Sequence, residues 1–131
     1  MKAQQLITFL GMASSAVVTA LPSQRSTSTC TAGLTAWSDA NFAGVEHQYD
    51  VAWNTCTSIA AQFPFNQSAG VSSVKANAGN WCVMYPNTDC NPGQGRDNDT
   101  LVVVGSYYDL NDPEEHWDNL PQSFSCKEYN C

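Results

Sequence analysis

The chain is poor in positive charge. Among 131 residues only 5 are lysine or arginine, against 12 aspartates and glutamates, and the net charge is −7. Nucleic acids and anionic membranes attract basic patches, so this balance excludes both as partners. Histidine is as scarce, with only His47 and His116. No Cys-x-x-Cys pair accompanies them, so the usual spacing of a zinc site is missing. Gly-x-Ser-x-Gly is missing as well, and with it the nucleophile elbow of many hydrolases. Long apolar runs are absent too. The one apolar stretch lies before residue 20 and falls short of the roughly 20 apolar residues that span a bilayer.

That stretch has the order of a targeting signal. Lys2 supplies the positive start, and residues 6–10 and 12–18 supply a short apolar centre diluted by Ser14 and Ser15. Val18-Thr19-Ala20 then places small residues where a signal peptidase reads, and Leu21-Pro22 discourages a continuing helix. Residues 1–20 are read as a signal peptide and the polar residues 21–29 as a flexible lead. Residues 30–131 form a single domain, too small for two good cores.

All six cysteines lie in that domain: Cys30, Cys56, Cys82, Cys90, Cys126 and Cys131. An even number in an oxidising compartment predicts three disulfides, with fifteen pairings open. The mature part keeps Arg25, Lys75, Arg96 and Lys127 as its basic residues, and its acids crowd between Asp89 and Asp118. Such a run is a solvated, solubilising face. Asn66-Gln67-Ser68 and Asn98-Asp99-Thr100 are sequons, so Asn66 and Asn98 are candidate glycan sites.

The domain reads as β. Short runs rich in Val, Tyr and Trp occupy 34–37, 45–51, 71–77, 81–85, 101–108 and 123–129, with turn clusters between them. Only 113–120, behind Asp112 and Pro113, reads as a helical turn. The chain also repeats itself. The run ending at Trp37 and a polar turn matches the run ending at Tyr85 and a polar turn. Residues 68–75 likewise match 118–125. Two copies of one motif, about 33–78 and 80–129, are implied.

The first copy carries Trp37-Ser-Asp-Ala-Asn-Phe42-Ala-Gly44: an aromatic, four residues, Phe, one residue, Gly. On this motif the chain resembles the βγ-crystallin family. Aromatics there fold over a tight hairpin, and the glycine takes a backbone conformation closed to residues with a Cβ. The family closes each motif with a strand serine, and Ser73 and Ser123 stand at those places. The second copy departs: Tyr85 holds the aromatic position, Cys90 stands where Phe would, and the glycine comes late, at Gly93. Cys90 is read as a disulfide replacing the aromatic fold-over. The resemblance implies an all-β, two-sheet Greek-key sandwich of βγ-crystallin type, here stapled by disulfides. The chain also resembles the small cysteine-rich proteins that filamentous fungi secrete.

The family's calcium sites use two Asn/Asp residues, two variable residues, then Ser/Thr and Ser, all oxygen donors suited to a hard cation. Asp118-Asn119-Leu120-Pro121-Gln122-Ser123 keeps the acidic pair but puts Gln122 where a hydroxyl belongs. Residues 68–73 keep Ser72 and Ser73 but lack the acidic pair. The resemblance therefore implies a degenerate site of Asp118, Asn119, Gln122 and Ser72, with calcium bound weakly or not at all, and no other cofactor.

No catalytic residues are assigned. Carboxylates such as Asp109 and Glu114 suit a glycosidase in type, but a domain this small offers little cleft. Trp37, Tyr85 and Trp81 are expected in the core or fold-over, while Trp53, Tyr107, Tyr108 and Trp117 are left to core or surface. Exposed aromatics on a stapled β scaffold suit an extracellular protein or carbohydrate partner. The expected protein is a secreted, monomeric, non-enzymatic binder, with an effector role among its uses. The alternatives are a proteinase inhibitor acting through loop 86–99, pinned by Cys82 and Cys90, an antimicrobial or killer-type toxin on the same fold, and, third, a small hydrolase. On strands 81–85 and 123–129 Cys82 and Cys126 point inward, which predicts their pairing. Cys90 is then paired with Cys131 and Cys30 with Cys56.

Overall fold

A computed structural model describes residues 17–18, 30–64, 69–92, 100–114 and 116–131. The expected signal peptide (Val17 and Val18 apart), the expected 21–29 lead and both sequon asparagines lie outside these residues. No helix among the described residues is long and apolar enough to cross a membrane.

Eight strands form two antiparallel sheets: β1 Gly33–Asp39, β2 Ala43–Asp50, β3 Thr57–Ser58, β4 Ser73–Ala76, β5 Asn80–Tyr85, β6 Leu101–Val103, β7 Ser106–Tyr107 and β8 Ser123–Glu128. The first sheet runs β2-β1-β4-β7 and the second β3-β8-β5-β6. Each motif thus keeps three strands in its own sheet and lends one short strand to the other. The apolar run 101–108 is split for this reason. Gly105, at φ 75, bends it between the two sheets. β3 is a further strand beyond the six predicted, two residues long and bounded by turns.

Period-two alternation places the core. Leu34 and Ala36 of β1, Val74 and Ala76 of β4, Met84 of β5 and Phe124 of β8 face inward and are buried. Ile59, Phe63, Val71, Leu110 and Trp117 fill the ends from the loops. Burying each large apolar side chain contributes about 1.5–3 kcal/mol. Tyr49 of β2 meets Phe124 edge-on at 5.4 Å and joins the two sheets. Trp53 and Tyr107 pack partly buried against this core, and Tyr108 is exposed. Trp81, expected in the core or fold-over, instead points outward from β5 with partial exposure, where Lys127 lies 5.3 Å over its ring. The predicted helical turn at 113–120 reduces to two separate turn bonds, from His116 N–H to the Asp112 carbonyl and from Leu120 N–H to that of Trp117, and no helix is described there. His116 itself sits at φ 51, which stops any continuation.

Three disulfides staple the domain: Cys82–Cys126, Cys56–Cys90 and Cys30–Cys131. Cys82 and Cys126 are directly opposed on neighbouring strands. The other two pairings correct the sequence reading, which joined Cys90 to Cys131 and Cys30 to Cys56. The loop at Gly79 gathers both ends: its carbonyl accepts from the Tyr129 N–H, Asn77 donates to the Thr31 carbonyl, and a Cβ on Gly79 would stand 2.4 Å from the Cys30 sulfur and 2.7 Å from that of Cys131. Cys90 sits over β8, and β3, next to β8, brings Cys56 to it.

Candidate functional site

The two hairpin closures are built on one plan. After β1 the chain folds back through a short turn, Ala40–Phe42, in which Asn41 and Phe42 take φ 58 and 59. The Ser73 hydroxyl holds it, donating to the Asp39 carbonyl at 2.7 Å and accepting from the Phe42 N–H at 3.0 Å. In the second motif the Ser123 hydroxyl donates to the Asn87 carbonyl at 2.6 Å and accepts from the Cys90 N–H at 3.1 Å. Asp39 and Asn87 each stand two residues after the opening aromatic, Phe42 and Cys90 each five. Cys90 repeats the positive φ, at 54. Over the first turn Phe42 lies 4.8 Å from Trp37 and 4.7 Å from Tyr108. Over the second there is the Cys56–Cys90 bridge.

The folded-back first hairpin and the Cys30–Cys131 bridge stand at opposite ends of the outer face of the first sheet. Between them lies an open trough of about 730 Å³. Its floor is Thr35 of β1, flanked across the strands by Gln48 of β2 and Lys75 of β4. Its β2 wall carries Glu46, Gln48 and Asp50. All three are held by hydrogen bonds: Glu46 accepts from the Trp37 indole N–H at 3.1 Å, and the Gln48 amide donates to Asp50 at 3.3 Å. Asn77, at the Cys30 end, donates to the Thr31 carbonyl at 3.3 Å. Gly33 opens β1 next to this face and admits no side chain, because its φ is 148 and the Tyr49 carbonyl lies 1.8 Å from where a Cβ would stand. The sequence reading missed this face. Its one visible signal is the alternation of Glu46, Gln48 and Asp50 along 45–51.

The residues of the calcium motif lie around the loop before β8. The Asn119 N–H donates to the Val71 carbonyl beside Ser72, and Asn119 sits against Gly70. Asp118 Oδ2 accepts from the Asn119 side chain at 2.7 Å, while its buried Oδ1 has no partner among the described residues. Ser72 and Gln122 hold equivalent backbone bonds, from Ser72 N–H to the Trp37 carbonyl and from Gln122 N–H to that of Tyr85, each 2.9 Å. The Gln122 amide nitrogen donates to the Pro86 carbonyl at 2.6 Å. The orphan oxygen is a fit for a cation. The rest of the donor set is thin, since calcium takes six to eight oxygens. Among the described residues no three His, Cys, Asp or Glu side chains converge.

Two other expected sites are rearranged. The 86–99 loop is fastened by the Cys90 bridge to Cys56 and by Ser123 and Gln122, which bond Cys90, Asn87 and Pro86, while Cys82 is bridged to Cys126 on the strands; residues 93–99 lie outside the described ones. Asp109 and Glu114 line a hollow of about 280 Å³ with Tyr107 and Tyr108. There Asp109 caps Asn111 N–H at 2.9 Å, and Asp112 caps that of Glu114 at 3.0 Å.

Two motifs, each contributing a strand to the other's sheet and each closed by a serine under a folded hairpin, define a βγ-crystallin-type domain. Solved structures agree. A βγ-crystallin domain from Clostridium beijerinckii matches 72% of this chain and 97% of its own at a TM-score of 0.52 and 11% identity. One from Flavobacterium johnsoniae matches 72% and 93% at 0.50 and 18%. A structure from work on the evolution of the eye-lens βγ-crystallin domain fold matches 77% and 90% at 0.53 and 14%. Comparison with protein-family models and with curated proteins finds no match.

Proposed function

We propose that this chain is a secreted, non-enzymatic binding domain of the βγ-crystallin family, of the kind filamentous fungi release, acting outside the cell on a protein or carbohydrate partner. The signal-like residues 1–20 and three disulfides support the extracellular setting. The observation that carries a binding role is the trough on the first sheet: polar side chains held by neighbours, on a scaffold cross-linked at its Cys30 end. Preorganised groups lose little freedom on binding, which is where a small domain gains affinity.

The test is retention. Residues 21–131, oxidised and immobilised, are incubated with extracellular proteins and with cell-surface polysaccharides. Specific retention of one component is expected. Retention of nothing, or chemical conversion of a component, overturns the reading.

A further inference from the structure

We propose that the trough on the outer face of the first sheet is a binding site for a neutral oligosaccharide. This deepens the binding role above and rests on it.

The molecule carries −7 overall, yet the trough sets one ammonium, Lys75 of β4, beside Thr35 on one side, with the carboxylates of Glu46 and Asp50 on the opposite, β2 wall. A polyanion would meet those two carboxylates. A neutral ligand with many hydroxyls meets donors and acceptors in alternation: the Lys75 ammonium and Asn77 amide donate, the Glu46 and Asp50 carboxylates accept, and Thr35 and Gln48 do both.

Geometry agrees. Gln48, Thr35 and Lys75 form one row across three strands, and strands lie roughly 4.8 Å apart, so their polar heads are regularly spaced on one plane. Glu46 and Asp50 occupy the neighbouring places on β2, to either side of Gln48. The indole bond to Glu46 and the amide contact to Asp50 orient the acceptors before any ligand arrives. At about 730 Å³ the trough falls within the roughly 300–1,000 Å³ of small-molecule sites. A protein partner wants exposed aromatic or aliphatic anchors at the centre of its site. The centre here is Thr35, and Trp37 at the hairpin end is only 9% exposed.

The experiment is titration of the oxidised 21–131 domain with neutral β-glucan, chitin and mannan oligosaccharides, followed by NMR and calorimetry. Binding of at least one is expected, with shifts in the Gln48 and Asn77 side-chain amides. Gln48→Ala, Asp50→Ala and Lys75→Ala alter exposed side chains outside the core, and each is expected to weaken binding about fivefold. Ser125→Ala and Lys127→Ala on the other sheet should leave it unchanged. Sugar binding that only the second-sheet variants weaken overturns the trough as the site. Failure of every sugar, with an extracellular protein still retained, overturns the carbohydrate assignment and leaves the binding role standing. Failure of the sugars together with retention of nothing overturns both.

Discussion

The two hairpin closures share their hydrogen bonds and differ in what lies on top. In the first, Trp37, Phe42 and Tyr108 stack over the turn. In the second, the equivalent of Phe42 is Cys90, and a covalent bond to Cys56 takes the place of ring contacts. The serine beneath each does the same work: one hydroxyl satisfies a carbonyl and an N–H of a turn that cannot bond to itself. The turn geometry is therefore set by the backbone and the serine, and the cover is interchangeable chemistry. A ring excludes water from those bonds. A disulfide limits how far the turn can lift, and also ties it to the residue before β3, the strand its sheet takes from the first motif.

The largest expected effect comes from removing the covalent cover. The double variant C56S/C90S should lose about 2–5 kcal/mol in a denaturant titration, as removal of a native bridge does in small secreted domains. Phe42→Ala should lose about 2 kcal/mol, from a half-buried ring and its aromatic pair. A larger loss at Phe42 would mean that the stacked cover is the stronger one. Next come the serines. Ser73→Ala and Ser123→Ala each strand a carbonyl and an N–H and should cost about 1–3 kcal/mol. The two values should agree, and a gap above about 1 kcal/mol would break the equivalence of the closures.

Calcium separates the halves in another way, because only the second motif carries a carboxylate in the loop before its closing strand. Thermal scans in millimolar calcium should show a small stabilisation, about 1.4 kcal/mol when calcium reaches ten times its dissociation constant. Asp118→Ala should abolish it. Micromolar calcium giving the full effect would show a complete site.

The smallest effect concerns Tyr49, which joins the motifs through Phe124. Burial pushes its phenol above the ordinary tyrosine range. The folded value thus exceeds the unfolded one of about 10. Its contribution is full below that pH and is lost as the pH rises beyond it. Stability measured from pH 9 upward should fall, and Tyr49→Phe should flatten that fall. The same variant should cost about 1 kcal/mol at neutral pH through the lost bond to Gln62.

The β class and the two-sheet architecture were legible because alternation and the Trp37–Phe42–Gly44 spacing are local signals. So was the inward direction of Cys82 and Cys126, which needs only the parity of two strands. The exchanged strands were not. β3 and β7 are two residues each, too short for any period, and their place depends on the opposite motif. The other two bridges escaped for a related reason: they join segments 34 and 101 residues apart whose meeting is decided by the finished sheets. The trough is the least local feature of all. Gln48, Thr35 and Lys75 become neighbours only through the register of β2, β1 and β4, and no window of sequence contains all three.

The bridge between Cys30 and Cys131 gives the domain the connectivity of a ring. A protease that cuts once in an exposed loop between those residues opens a link but frees no fragment, because both pieces remain joined through sulfur. The cut chain keeps all its strands in the two sheets, and two cuts are needed before anything can diffuse away. Wherever a protease meets this fold, such a closed path turns a first cleavage from a loss of the molecule into a wound that the fold can carry.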